Sequence, residues 1–151
     1  METILSLTEN HVLADLHAAT REDAYRDMLR HAVSKDLLPA GEVDAIFDGL
    51  LERDAILSTG LGDGLAVPHT SCACLTEVLL LIAITSHPID CQSLDGLPVF
   101  LFIMILVPKD QAELHLQTLA HVARKLTRPG VREALAAAEH AAEIAHLLTD
   151  S

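Results

Sequence analysis

No lysine or arginine stands between Arg53 and Lys109, so the 55 positions from 54 to 108 carry no fixed positive charge. The whole chain has ten basic residues against 22 acidic ones, a formal net charge of −12. A nucleic-acid binder gathers Lys and Arg into a stripe or patch, and nothing of that kind is present. An anion handled inside the gap has to lean on Arg53, on backbone N–H groups, on histidines, or on residues beyond Lys109. Cysteine is scarce too: Cys72, Cys74 and Cys91 are too few and too unevenly spaced for a disulfide framework. Met1-Glu2-Thr3 opens neither a basic n-region nor a long apolar stretch, so no secretory signal is expected. The longest apolar run, Leu97 to Val107 with Pro98 inside it, is too short to cross a bilayer as a helix. Repeats, low-complexity segments and Ser/Pro linkers are missing as well. These absences predict one domain over residues 1–151, in a reducing cytoplasm, with no nucleic-acid partner and no membrane insertion.

Half of the residues are apolar, which supports a folded core rather than disorder. A first strand is expected over 12–18. Thr20 then caps a helix over about 21–34, with Asp23 at the capping-box position. A second helix follows Pro39-Ala40-Gly41; Val43, Ile46, Phe47, Leu50 and Leu51 recur at helical spacing and the helix ends near Arg53. Val78–Thr85 and Val99–Val107 are continuous apolar runs, so both faces of those strands should be buried. Ser86-His87-Pro88 and Leu94-Asp95-Gly96 punctuate the connection between them. From Asp110 the chain turns helical, with Leu116, Leu119, Ala120, Ala123 and Leu126 in one stripe before Arg128-Pro129-Gly130. Alanine-rich helices over about 131–138 and 140–148 complete it. The expected fold is a mixed α/β, three-layer α/β/α sandwich around a mixed sheet of four to five strands.

The densest local signal is Ser58-Thr59-Gly60-Leu61-Gly62-Asp63-Gly64-Leu65-Ala66-Val67-Pro68-His69. Three alternate glycines lead into a short apolar strand and then a histidine behind a rigid proline. A P-loop needs Gly-Lys-Ser/Thr, and the segment has no lysine; a dinucleotide fingerprint needs glycine where Val67 stands. Two readings stay open for the loop: a tight structural turn, and a cradle of N–H groups for one small anion. A neutral imidazole at His69 is a competent nucleophile toward a phosphoryl group. Such transfer needs positioning and charge stabilisation nearby, for which Arg53 and His115 are the candidates. His115 reads equally as a half-buried histidine beside the apolar stripe; His11, His17, His140 and His146 read as surface or rim residues.

A metal is the minor reading. His69-x-x-Cys72-x-Cys74, with His87 and Cys91 further on, offers zinc-type ligands, but the spacing fits neither a ribbon nor a finger. Free cysteines also serve as small core residues. A hydrolase lacks its Gly-x-Ser-x-Gly elbow.

The segment from Ser58 to His69 resembles the active-site segment of enzyme IIA domains of the fructose/mannitol type. These belong to the bacterial phosphoenolpyruvate-dependent sugar phosphotransferase system and include the nitrogen-regulatory IIA proteins. The resemblance extends over essentially the whole chain. It implies that His69 accepts a phosphoryl group from the phosphocarrier HPr or a paralogue, that His115 orients it, and that Arg53 is the active-site arginine. Asp63 takes a loop position that is polar or acidic in the family. No cofactor or metal is implied. The acceptor is an enzyme IIB partner or a regulatory target, with a non-transferring binding module of the same fold as the alternative. The chain departs from the family after Pro68-His69, where Thr70-Ser71-Cys72 replaces the common glycine and nearby lysine, and at Arg53-Asp54, where Arg-Glu is usual.

Overall fold

The computed structural model describes residues 8–56, 60–62, 64–109, 117, 121, 130–138 and 140–149; for 60, 61, 132, 136 and 147–149 it describes the backbone only. The expected helix from Asp110 to Leu126 lies largely outside that set.

Strand β1 spans Val12–Leu16, shorter at its end than the expected 12–18. Helix α1 spans Arg21–Ser34, and the Thr20 hydroxyl accepts the Asp23 N–H at 3.1 Å as the capping pattern requires. A 3-10 turn at Ala40–Glu42 leads into α2, Val43–Ile56. Three short strands follow: β2 Gly60–Gly62, β3 Leu65–Ala66 and β4 His69–Cys72. Two long ones then form the middle of the sheet, β5 Leu79–Ile89 and β6 Val99–Pro108. Helices α3, Val131–Ala137, and α4, Ala141–Thr149, close the described chain.

The sheet is mixed, as expected: five strands run in the order β1-β5-β6-β3-β2, and β4 adds to β6. β1 is parallel to β5, β5 antiparallel to β6, and both β3 and β4 parallel to β6. Each face has its own core. Tyr25, Met28 and Leu29 of α1 and Ile46, Phe47 and Leu50 of α2 meet Leu81, Ala83, Phe102 and Met104 on one side. Leu135 of α3 and Ile144 of α4 meet Leu80, Ile82, Ile103 and Ile105 on the other. Alternate residues of β5 and β6 thus feed opposite cores, which explains why their sequences are apolar without alternation. The three-layer sandwich follows.

β5 runs past the expected boundary at Thr85. Between Ile84, opposite Leu101, and Ile89, opposite Val99, the register shifts. The Thr85 hydroxyl donates to the His87 carbonyl at 3.0 Å and accepts the His87 N–H at 3.2 Å. That local bonding substitutes for the ladder, so Ser86-His87-Pro88 bulges out and the strand resumes.

α1 and α2 are latched by a buried polar contact. Tyr25 Oη donates to Asp54 Oδ2 at 2.6 Å, and Arg21 Nη1 lies 3.6 Å from the same oxygen. The Asp54 side chain is only 2% exposed. A buried carboxylate needs this pairing, so the residue that departs from Arg-Glu is an anchor for the end of α2.

Candidate functional site

His69 begins β4 directly after Pro68. The registers Leu65–Leu101, Ala66–Phe102, His69–Ile105 and Cys72–Pro108 share one offset. β3 and β4 are therefore one strand interrupted at Val67-Pro68 without a slip. Proline cannot donate to the ladder, but its carbonyl still accepts the Ile105 N–H at 2.9 Å. The expectation of a histidine at the exit of a strand is thereby refined: His69 is held inside the sheet, on the strand that resumes after the break.

The ring is held as well. His69 Nδ1 lies 2.9 Å from the Val67 carbonyl oxygen. A carbonyl only accepts, so Nδ1 carries the proton and the lone pair of the neutral ring sits on Nε2. The residue is half-buried, and its neighbours Thr70 and Cys72 are buried on one face of β4 while Ser71 is exposed.

The glycines before it are dictated by space. Gly62 and Gly64 have φ of 101° and 81°. A Cβ on Gly64 would fall 2.5 Å from Phe100 Cδ1, and the Gly64 carbonyl accepts both the Phe100 and Leu101 N–H groups. A Cβ on Gly62 would lie 3.0 Å from Asp95 Oδ2. At these two positions the structural-turn reading has its physical reason, and the carboxylate beside Gly62 opposes an anion there. Asp63 is outside the described residues.

Arg53 occupies the last turn of α2 and is exposed. α2 packs on β4, antiparallel to it: Glu42 neighbours Cys72 and Cys74, and Gly49 abuts Thr70. Arg53 is one turn beyond Gly49 on the same helix face, about 6 Å further along the axis. At about 3.3 Å per strand residue that brings it level with Pro68 and His69. Thr70 faces α2, so in an alternating strand His69 faces the other layer, and the last turn of α2 lies by the end of β4 at which His69 stands. His115 lies outside the described residues.

The cysteines do not assemble as the minor metal reading arranged them. Cys91 is buried beside Arg21 and Asp54, and burial pushes its thiol up to about 12. Cys74 is pushed up to about 11, first by desolvation of its sulfur, then by its hydrogen bond to Cys72. Protonated thiols of this kind are poor nucleophiles at neutral pH. Among the described residues the one group of three that brings ligand atoms within 4.8 Å of each other is Glu42, Cys72 and Cys74, without any histidine. Glu42 carried no signal in the sequence, because it meets the cysteines only through the packing of α2 on β4. No described helix is long and apolar enough to cross a membrane.

Residues 5–151 match the family model described as phosphoenolpyruvate-dependent sugar phosphotransferase system, EIIA 2. A nitrogen regulatory protein of Pseudomonas aeruginosa is 32% identical over 124 residues, covering 82% of this chain and 80% of that protein. The fructose-specific EIIA component of the phosphotransferase system of Haloferax volcanii is 36% identical over 135 residues, covering 87% and 84%. Among solved structures, the nitrogen regulatory protein IIA-Ntr of Neisseria meningitidis superposes with a TM-score of 0.82 at 28% identity, covering 93% of this chain and 94% of its own. IIA mannitol of Escherichia coli shares the fold, with a TM-score of 0.76 at 22% identity over 95% of this chain and 99% of its own. With a family model matched along almost its entire length, and relatives that share its fold as well as its sequence, this chain belongs to the EIIA 2 family of the phosphoenolpyruvate-dependent sugar phosphotransferase system.

Proposed function

We propose that the chain, acting as one IIA unit over residues 1–151, is a phosphoryl carrier that takes its phosphoryl group on His69 Nε2. The observation that carries this reading is the bond from Nδ1–H to the Val67 carbonyl at 2.9 Å. It leaves the nucleophilic lone pair on Nε2 and stops the ring from turning over. Attack on the phosphohistidine of an HPr-like donor forms the Nε2–P bond as the donor's N–P bond breaks, and the electron pair of that bond returns to the donor ring. The phosphorylated His69 ring keeps its Nδ1 proton, and the positive charge it gains is met by the Val67 carbonyl. Arg53 and His115 are assigned to the phosphoryl oxygens, whose charge must be stabilised during transfer. Within 54–108 the chain has no other fixed cation to do so.

From His69 the group passes to an enzyme IIB partner, or stays as a charge switch that decides which regulatory protein is bound. The relatives' names divide between fructose-specific and nitrogen-regulatory components, and a fold neighbour, enzyme IIA of the E. coli mannitol system, was solved in complex with phosphorylated IIB. The test is incubation with phosphoenolpyruvate, enzyme I and a cognate HPr, followed by intact mass. Wild type should gain one acid-labile phosphoryl group, and His69→Ala none. A wild type that gains nothing from a donor shown to be active on another carrier would sink the proposal and leave the non-transferring module.

A further inference from the structure

We propose that Glu42, Cys72 and Cys74 bind one thiophilic divalent cation of the zinc class, at a site distinct from His69. Two separate pieces of chain converge there. Glu42 ends the 3-10 turn ahead of α2, Cys72 ends β4, and Cys74 sits in the turn closed by Leu75 N–H to the Cys72 carbonyl at 3.4 Å. Their ligand atoms lie within 4.8 Å of one another, and the two sulfurs are 2.7 Å apart. Tetrahedral zinc at about 2.3 Å from each sulfur needs the sulfurs about 3.8 Å apart, so the two thiols open by about 1 Å to take it, a movement that the exposed Cys74 side allows. Two thiolates and a carboxylate are the donors this cation takes, and the exposure of Cys74 leaves a fourth position for water.

The electrostatics point the same way. No ion pair holds Glu42 among the described residues, and no Lys or Arg occurs from 54 to 108 to supply one from that part of the chain. Binding displaces a proton from each thiol, so both protons leave to solvent as two metal–sulfur bonds form. Occupancy would pin the start of α2 to the end of β4. The other ends of those two elements carry Arg53 and His69, but Cys72 faces α2 while His69 faces the opposite layer, so the site does not need the histidine.

The experiment is a titration of reduced, metal-free protein with Zn(II), and with Co(II) as a spectroscopic probe. One equivalent should bind, with thiolate-to-cobalt charge-transfer absorption and a raised melting temperature. Cys74→Ser should lose the absorption, and Glu42→Gln should weaken binding with the protein still folded. His69→Ala should bind as wild type does, so failure here is separable from failure of the phosphoryl-carrier reading. Three results would overturn the proposal. One is the absence of stoichiometric binding in folded, reduced protein. The second is binding unchanged in both Cys74→Ser and Glu42→Gln, and the third is a Cys72–Cys74 pair that oxidises to a disulfide and takes no metal when reduced.

Discussion

Gly49 of α2 lies so close to Thr70 of β4 that a Cβ built on the glycine falls 2.6 Å from the Thr70 hydroxyl oxygen. A glycine in mid-helix costs about 1 kcal/mol relative to alanine, and this contact explains why it stands there. Thr70 is buried next to His69, and its side chain sits in the space that Gly49 leaves open. Each residue's presence depends on the other.

Gly49→Ala should therefore destabilise the protein by about 1–3 kcal/mol despite its better helix propensity, because the added methyl has no room. Thr70→Ala in the same chain removes the obstructing hydroxyl. The double variant should be less destabilised than the sum of the two singles, measured by urea unfolding of all four proteins. Additive effects would show that the helix and strand simply move apart.

A similar comparison applies to the glycine segment. Gly64→Ala meets both a positive φ and the Phe100 ring, whereas a Cβ on Gly41 meets nothing within 4 Å. Gly64→Ala should lower stability by about 2 kcal/mol or more, and Gly41→Ala should be neutral or slightly stabilising. Thermal melts of the two variants side by side check this, since the chemical change is identical and only the surroundings differ.

Asp54→Ala should cost about 3 kcal/mol, the low end for breaking a buried pair, because Arg21 remains one-fifth exposed. The loss leaves the buried Tyr25 hydroxyl without its acceptor. Asp54→Asn keeps an oxygen facing Tyr25 and should be milder. Urea midpoints with unchanged slopes would separate lost stability from a change in the unfolded chain.

What was legible in the sequence were the elements whose signals are local. Thr20 and the spacing of Val43, Ile46, Phe47, Leu50 and Leu51 mark α1 and α2. Continuous apolar runs mark β5 and β6, because a strand buried on both faces has no polar side to alternate with. The segment after Gly60 was legible as a glycine turn leading into a short strand, but not in its register. Pro68 reads as the end of a strand, yet the register continues across it because only one donor is lost. Glu42 beside the two cysteines, Thr70 under Gly49, and Asp54 under Tyr25 were not legible at all. Each is a contact between elements brought together only when two helices settle on the sheet.

The pH dependence of stability should carry a mark of His11. Burial, and then the nearby charge of His31, hold its ring below the ordinary value of 6.5. The unfolded chain thus takes up this proton before the folded one does. Where the unfolded state binds more protons, stability rises with pH. The contribution of His11 is therefore complete above 6.5 and is lost as pH falls through the lower, folded value. An NMR titration should place the His11 midpoint below 6.5. Comparing wild type with His11→Gln by urea unfolding on both sides of 6.5 should give a smaller loss on acidification in the variant. An equal loss in both proteins, or a His11 midpoint at or above 6.5, would remove this histidine from the account.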